Sequence, residues 1–245
     1  MIELNTFSIV ARCPRSGMLG VAVSTAVPAV GGICPFVEAG TGAIATQSWV
    51  NPYFGIDGLK HLRAGLSAEE TLGKLLEGDT AREVRQIGII DKQGRTAVHT
   101  GSDCVDWAGH IAGDNFTVQG NMLVGAATID AMAEAAVKSA AFPLYERLML
   151  ALEAGQAAGG DKRGKQSAAI KVFRTEEYAY LDLRVDEHRH PVAELRRVFE
   201  IAKQQLLPFI DGMPSRQDPV GSLPEAVTAM IMTPPPYRPG GSGGA

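Results

Sequence analysis

The stretch from residue 6 to residue 25 constrains the fold more than any other part of this chain. Thr6-Phe7-Ser8-Ile9-Val10-Ala11 is a short apolar run, residues 12–17 are a polar turn, and Met18-Leu19-Gly20-Val21-Ala22-Val23-Ser24-Thr25 is a second run. Short segments rich in Val, Ile and Ala and punctuated by Gly or Pro read as strands, so the chain opens on a strand-turn-strand unit. A threonine stands at its head. Thr6 is either a β-branched strand residue or, once it is the N-terminal residue, a nucleophile. In the second case its own α-amine, with a pKa of about 8, takes the hydroxyl proton.

The rest of the chain extends this pattern into an α+β order. A third strand is predicted over 42–47, then a helix over 56–64, and a second helix behind the capping box Ser67-Ala68-Glu69-Glu70. Residues 85–91 and 95–100 form a hairpin around Lys92-Gln93-Gly94, and strands at 107–112 and 115–121 are expected to extend that sheet. Two helices follow at 126–141 and 143–155. Their alanine-rich faces predict that they pack on each other and on a sheet. Strands at 167–174 and 178–185 and a helix from Pro191 to Leu206 complete the order. The simplest architecture is two sheets with helix layers outside, as one domain over 1–210. From Asp211 the composition turns to Pro and Gly. The tail 211–245 is expected to be mobile apart from Ala226–Met232, and Pro234-Pro235-Pro236-Tyr237 has the form of a WW-domain ligand.

Composition narrows the function classes. The chain has 245 residues, 45% hydrophobic and 20% charged, with a net charge of −4, which places it among soluble globular proteins. That balance, with basic residues spread rather than striped, gives no reason to expect nucleic acid. The start lacks the basic and apolar regions of a secretory signal, and no run of about 18 apolar residues calls for a membrane span. Cys13, Cys34 and Cys104 are odd in number and form no CxxC pair, which fits reduced thiols in a cytoplasm. His188 and His190 flank Arg189, and His99 and His110 sit outside any metal motif, so no metal is expected. The glycines match neither Walker nor dinucleotide spacing, so no cofactor is expected either.

Several polar residues stand out as candidates for binding. In Phe116-Thr117-Val118-Gln119-Gly120-Asn121 the alternation puts Thr117, Gln119 and Asn121 on one face, where two carboxamides would suit amide recognition or satisfy buried backbone. Gln47 ends a strand, and Asn51 follows in a turn that would wall a pocket or simply pack. The loop 159–167 carries Asp161, Arg163 and Ser167, with Arg163 able to fork onto a carboxylate. Asp182, Arg184 and Asp186 share one face of their strand, either as a local network or as a solvated edge.

Taken together, these blocks resemble the DUF1028 family: Asn5–Ala11, Gly20–Gly31, Ala45-Thr46-Gln47 with Asn51-Pro52, His99-Thr100-Gly101 with Trp107–His110, and Gln119–Leu123. Ala158–Gly164, Gln166–Ala169 and Asp182–His188 also match, so the resemblance spans about 5–206 in order. That family resembles the N-terminal-nucleophile (Ntn) hydrolases, which implies a four-layer αββα sandwich of two mainly antiparallel sheets. It also implies a hydrolase acting on a C–N bond in a small amide, with Thr6 as nucleophile beside Ser24 and Thr25. Trimming Met1 exposes Ile2, so only cleavage between Asn5 and Thr6 would arm this residue. No lysine lies between Met18 and Thr25, which points away from a Thr/Lys pair, while Ser24-Thr25 resembles the Thr/Ser-rich segment that amidohydrolases of this superfamily place beside the nucleophile and leaves an asparaginase-like variant open. Gln47, Asn51, Gln119, Asn121, Asp161, Arg163, Ser167, Asp182 and Arg184 are the expected binding residues for an amide or carboxylate ligand. The other reading is a catalytically silent scaffold that binds such a ligand. A homodimer is the expected assembly.

Overall fold

A computed structural model describes residues 6–234. Compactness divides the chain between Arg196 and Arg197, whereas its composition shifts at Asp211.

The first unit is a four-layer αββα sandwich. Its larger sheet has six strands in the order β10-β9-β2-β1-β8-β7, and its smaller sheet has four in the order β3-β4-β5-β6, with every pairing antiparallel. The first sheet comprises β1 (Thr6–Arg12), β2 (Leu19–Thr25), β7 (Gly109–Gly113), β8 (Phe116–Asn121), β9 (Ser167–Phe173) and β10 (Leu181–Val185). The second comprises β3 (Pro35–Glu38), β4 (Gly42–Ser48), β5 (Arg85–Asp91) and β6 (Thr96–Thr100). Helices α1 (Pro52–Arg63) and α2 (Ala68–Glu77) cover the smaller sheet, while α3 (Ala127–Lys138) and α4 (Leu144–Ala157) pack on each other and cover the larger one.

Strand alternation explains why four layers form. On β4, Ala43 and Ala45 face the other sheet in a cluster with Val10, Val21, Val23, Val37 and Ile90. Ile44 faces the opposite way and joins Phe54, Leu62 and Leu75 beneath the helices. On β1, Ser8 reaches across the sheets to Gln47, while Phe7 lies against the place where Gly155 of α4 lacks a side chain. A strand with both faces covered buries nearly every position whatever the residue, which is the pattern in β1, β2, β4 and β5.

Four expectations need correction. Strands β7 and β8 do not extend the β5–β6 sheet: β8 pairs with β1, and the chain changes sheets between β6 and β7. Local pattern reports that a strand exists but not which strand it pairs with. Strand β3 went unpredicted because it has four residues and opens on a proline, tolerable at the edge it occupies. Helix α1 starts at Pro52 rather than 56: Asn51 caps it, its side chain accepting from Tyr53 N, and proline takes the first turn. Strand β10 spans five residues rather than the eight of 178–185.

The division falls inside α5 (Pro191–Asp211), which spans both units and continues through Pro208. Beyond it the second unit has a turn closed by Ser222 N donating to Gly212 O (3.0 Å), followed by α6 (Glu225–Met232), the segment singled out in the tail. Of the proline motif, residues 235–237 lie outside the described residues.

Candidate active site

The layer between the sheets is apolar at one end and polar at the other. Thr6 and Ser8 of β1, Gln47 of β4, Gln86 of β5, and Gln119 and Asn121 of β8 are all buried at the polar end, with Thr117 buried further along β8 opposite Val10. Strand polarity brings them together: β1 and β5 begin there, while β2, β4, β6 and β8 end there. The alternation read from residues 116–121 holds, since Gln119 bonds to Ser8 of β1 and Asn121 to Gln86 of the facing sheet.

Thr6 is 3% exposed and lies directly opposite Thr25 on one side and Asn121 on the other. Its Oγ1 donates to Thr25 Oγ1 at 3.2 Å. Ser24 points to the other face of β2 and donates to Ser167 O at 3.2 Å. Of the two residues expected beside Thr6, Thr25 touches it and Ser24 braces β9.

The amides around Thr6 form a connected set. Gln47 Nε2 donates to Thr6 O (3.3 Å), Gln119 O (3.3 Å) and Gln86 Oε1 (2.8 Å). Gln47 Oε1 accepts from Ser8 Oγ, which in turn accepts from Gln119 Nε2, each at 2.6 Å. Asn121 Nδ2 donates to Gln86 Oε1 at 3.0 Å. Gly88 makes this possible, because a β-carbon there would collide with Gln119 Oε1 and Thr117 Oγ1. Those two oxygens have no hydrogen-bond partner among the described residues. Buried polar atoms left unpaired cost about 1–3 kcal/mol each, so their retention is a cost that packing alone does not explain.

Loops close over this end. Met122 N donates to Val105 O (2.9 Å), Leu123 N to Trp107 O (3.0 Å), Lys162 N to Met122 O (3.2 Å) and Gln166 N to Thr25 O (2.8 Å). Asp161 is buried and accepts from Ala26 N (3.1 Å) and Arg163 N (2.8 Å), with Arg163 Nη2 at 3.4 Å from its carboxylate. Ser167 Oγ donates to Val27 O (2.6 Å) and accepts from Val30 N (3.2 Å). Two non-glycine residues of these loops, Ala29 at 57° and Met122 at 51°, have positive φ, as does Ser48 at the end of β4 at 65°. Backbone held in that region concentrates at functional sites.

The remaining expected binding residues lie elsewhere. Asn51 caps α1 and lines a cleft of about 430 Å³ between α1 and α2, with Tyr53, Phe54, Lys60, Lys74 and Asp79. The cleft lacks the buried amide cluster, so the chemistry points to the Thr6 end instead. Asp182 and Arg184 are on the exposed face of edge strand β10, paired with Lys171 (3.2 Å) and Asp186 (2.9 Å). Beside the site, burial alone would raise the Asp79 pKa, but Arg85, Ala81 N–H and Asn51 together hold it below the ordinary value. The three cysteines are free and buried, and desolvation pushes the Cys34 thiol up to about 12, too high for a thiolate nucleophile.

Gln86, Ser8, Thr100 and His110 were missed as site residues. Gln86 carried a faint signal, being an uncharged polar residue directly before the apolar run Ile87–Ile90.

Residues 6–195 match a family of unknown function, DUF1028. The chain belongs to the DUF1028 family. The crystal structure of a family member, protein SPO2555 from Silicibacter pomeroyi, is similar with a TM-score of 0.82 and 30% identity, over 90% of this chain and 96% of that one. Anbu (ancestral beta-subunit) from Yersinia bercovieri aligns with a TM-score of 0.37 and 12% identity, over 82% of this chain and 96% of its own. No curated protein matches this DUF1028 chain. Among the described residues no helix is long and apolar enough to cross a membrane.

Proposed function

We propose that this DUF1028 protein is an Ntn-type amidohydrolase that cleaves a C–N bond in a small, carboxylate-bearing amide. The carrying observation is the place of Thr6: it heads the central strand β1, with its hydroxyl on Thr25 and Asn121 directly opposite. Cleavage between Asn5 and Thr6 frees the amine. The Thr6 hydroxyl then attacks the amide carbon and passes its proton to that amine. The resulting ammonium returns the proton to the leaving nitrogen as the C–N bond breaks, and water hydrolyses the acyl ester. Asn121 Nδ2 uses one hydrogen on Gln86 and offers the other to the developing oxyanion, a contact typically worth about 3 kcal/mol. Arg163, which now leans on Asp161 at 3.4 Å, is the group that would hold the substrate carboxylate.

One observation favours the other reading, a scaffold that binds such a ligand without turning it over: Thr6 is nearly inaccessible and its hydroxyl is already engaged. Intact mass and ammonia release from a panel of small carboxylate-bearing amides separate the two. The enzyme reading expects loss of residues 1–5 in the active protein and at least a 10³-fold loss of rate in Thr6→Ala, with the fold kept. A fully active protein that retains its first five residues would end the amine-assisted mechanism.

A further inference from the structure

The amide cluster around Thr6 has a hub, and its surroundings fix which way every donor in it points. Gln86 Nε2 lies 3.1 Å from Gly109 O, 2.8 Å from Gly120 O and 2.9 Å from Thr100 Oγ1. Two of these are carbonyl oxygens, which only accept, so nitrogen and not oxygen occupies that corner of the amide. Gln86 Oε1 must then face Gln47 and Asn121, and both must turn their N–H groups towards it. On the other side, an amide nitrogen does not accept, so the Thr100 hydroxyl hydrogen cannot point at Gln86. Among the described residues its other hydrogen-bond neighbour is His110 Nδ1 at 2.8 Å. One sense of donation therefore runs through the cluster, from the two amides to Gln86, from Gln86 to Thr100, which shares one of the two Nε2 hydrogens with a carbonyl, and from Thr100 to a partly exposed imidazole on edge strand β7.

We propose that Gln86 is a positioning residue of this site: it aims the Asn121 and Gln47 amides that flank Thr6, and through Thr100 it holds His110 as an Nδ1 acceptor carrying its proton on Nε2. The amide aimed by Gln86 is the one assigned to the oxyanion, so its catalytic meaning rests on the Thr6 reading, while the donor order stands without it. Partial burial and the nearby His99 of β6 lower the His110 pKa, in keeping with an imidazole that stays neutral. His99 itself contacts Arg82 O at 2.9 Å, and Gln119, opposite His110 on β8, carries no charge.

The test is ¹⁵N NMR of the imidazoles in the full chain, with His110 assigned by its absence in His110→Gln. Wild type should give an unprotonated Nδ1 and a protonated Nε2, with a titration midpoint below that of an ordinary histidine. In Gln86→Glu the new carboxylate accepts the Thr100 hydroxyl. Thr100 oxygen must then accept from His110, moving its proton to Nδ1 and raising the midpoint. Thr100→Val removes the bond to the neutral ring and should raise the midpoint by about half a unit to one unit. Thr100→Val keeps Gln86 and its two carbonyls, so the proposal stays testable if Gln86→Glu does not fold. A His110 midpoint and nitrogen pattern unchanged by Thr100→Val, or a protonated Nδ1 in the neutral wild-type ring, would overturn it. Neither measurement depends on turnover, so failure of the Thr6 mechanism would leave this result intact, and the reverse also holds.

Discussion

The two ends of the inter-sheet layer occupy the same sandwich yet are built from opposite chemistry. At one end Val10, Val21, Val23, Val37 and Ile90 interdigitate as an ordinary core cluster. At the other, Thr6, Ser8, Gln47, Gln86, Gln119 and Asn121 are as deeply buried but are joined by hydrogen bonds. The apolar end needs only volume and shape. The polar end must also pair buried donors with acceptors, and the two oxygens left unpaired at or beside it among the described residues, Gln119 Oε1 and Thr117 Oγ1, carry a cost that the apolar end does not. The difference teaches where stability alone shaped the sequence and where another demand was added. A layer chosen only for stability would have continued the valines to the end.

Three measurements would break or sharpen this contrast. The largest effect is expected from placing an amide in the wrong half: Ile90→Asn removes apolar burial and strands polar atoms with no partners, costing about 4 kcal/mol in urea unfolding. A cost below about 1 kcal/mol would show that the two halves tolerate each other's chemistry. The converse swap, Gln47→Leu, strips partners from Ser8, Thr6 O and Gln119 O and should cost about 2–3 kcal/mol. A stabilised variant would mean that the network is a burden the fold carries for another purpose alone.

The smallest effect concerns Asp79, whose carboxylate meets Arg85 at 2.8 Å where β5 enters the polar end. Its folded pKa lies below the unfolded value, so its contribution is present above the unfolded pKa and fades as pH falls through the folded one. Asp79→Asn should lower stability by about 1 kcal/mol at pH 7 and leave it equal to wild type in strong acid. A gap that persists at low pH would assign the effect to packing rather than charge.

Much of this architecture was legible because its elements announce themselves locally. Both strands of the opening hairpin, the Ser67 capping box and the 92–94 turn are where short-range rules place them. Sheet membership was not legible, since nothing within 107–121 says that β8 lies beside β1 and not β6. Local rules also hid β3, while Asn51-Pro52, which starts α1, fits a turn as well as a helix start. In the site, the face carrying Gln119 and Asn121 followed from period two, but the hub did not. Gln86 matters through partners 14 to 39 residues away, and no pattern in Arg85–Asp91 encodes them.

Strand β1 is laddered on both flanks from its very first residue, Thr6 facing Thr25 on one side and Asn121 on the other. Ends of polypeptides ordinarily wander, and a reactive group mounted on one must be captured afresh at each encounter. Scission immediately ahead of Thr6 would instead yield an amine already seated, its bearing set by neighbours on either hand, with little freedom left to lose when a ligand arrives.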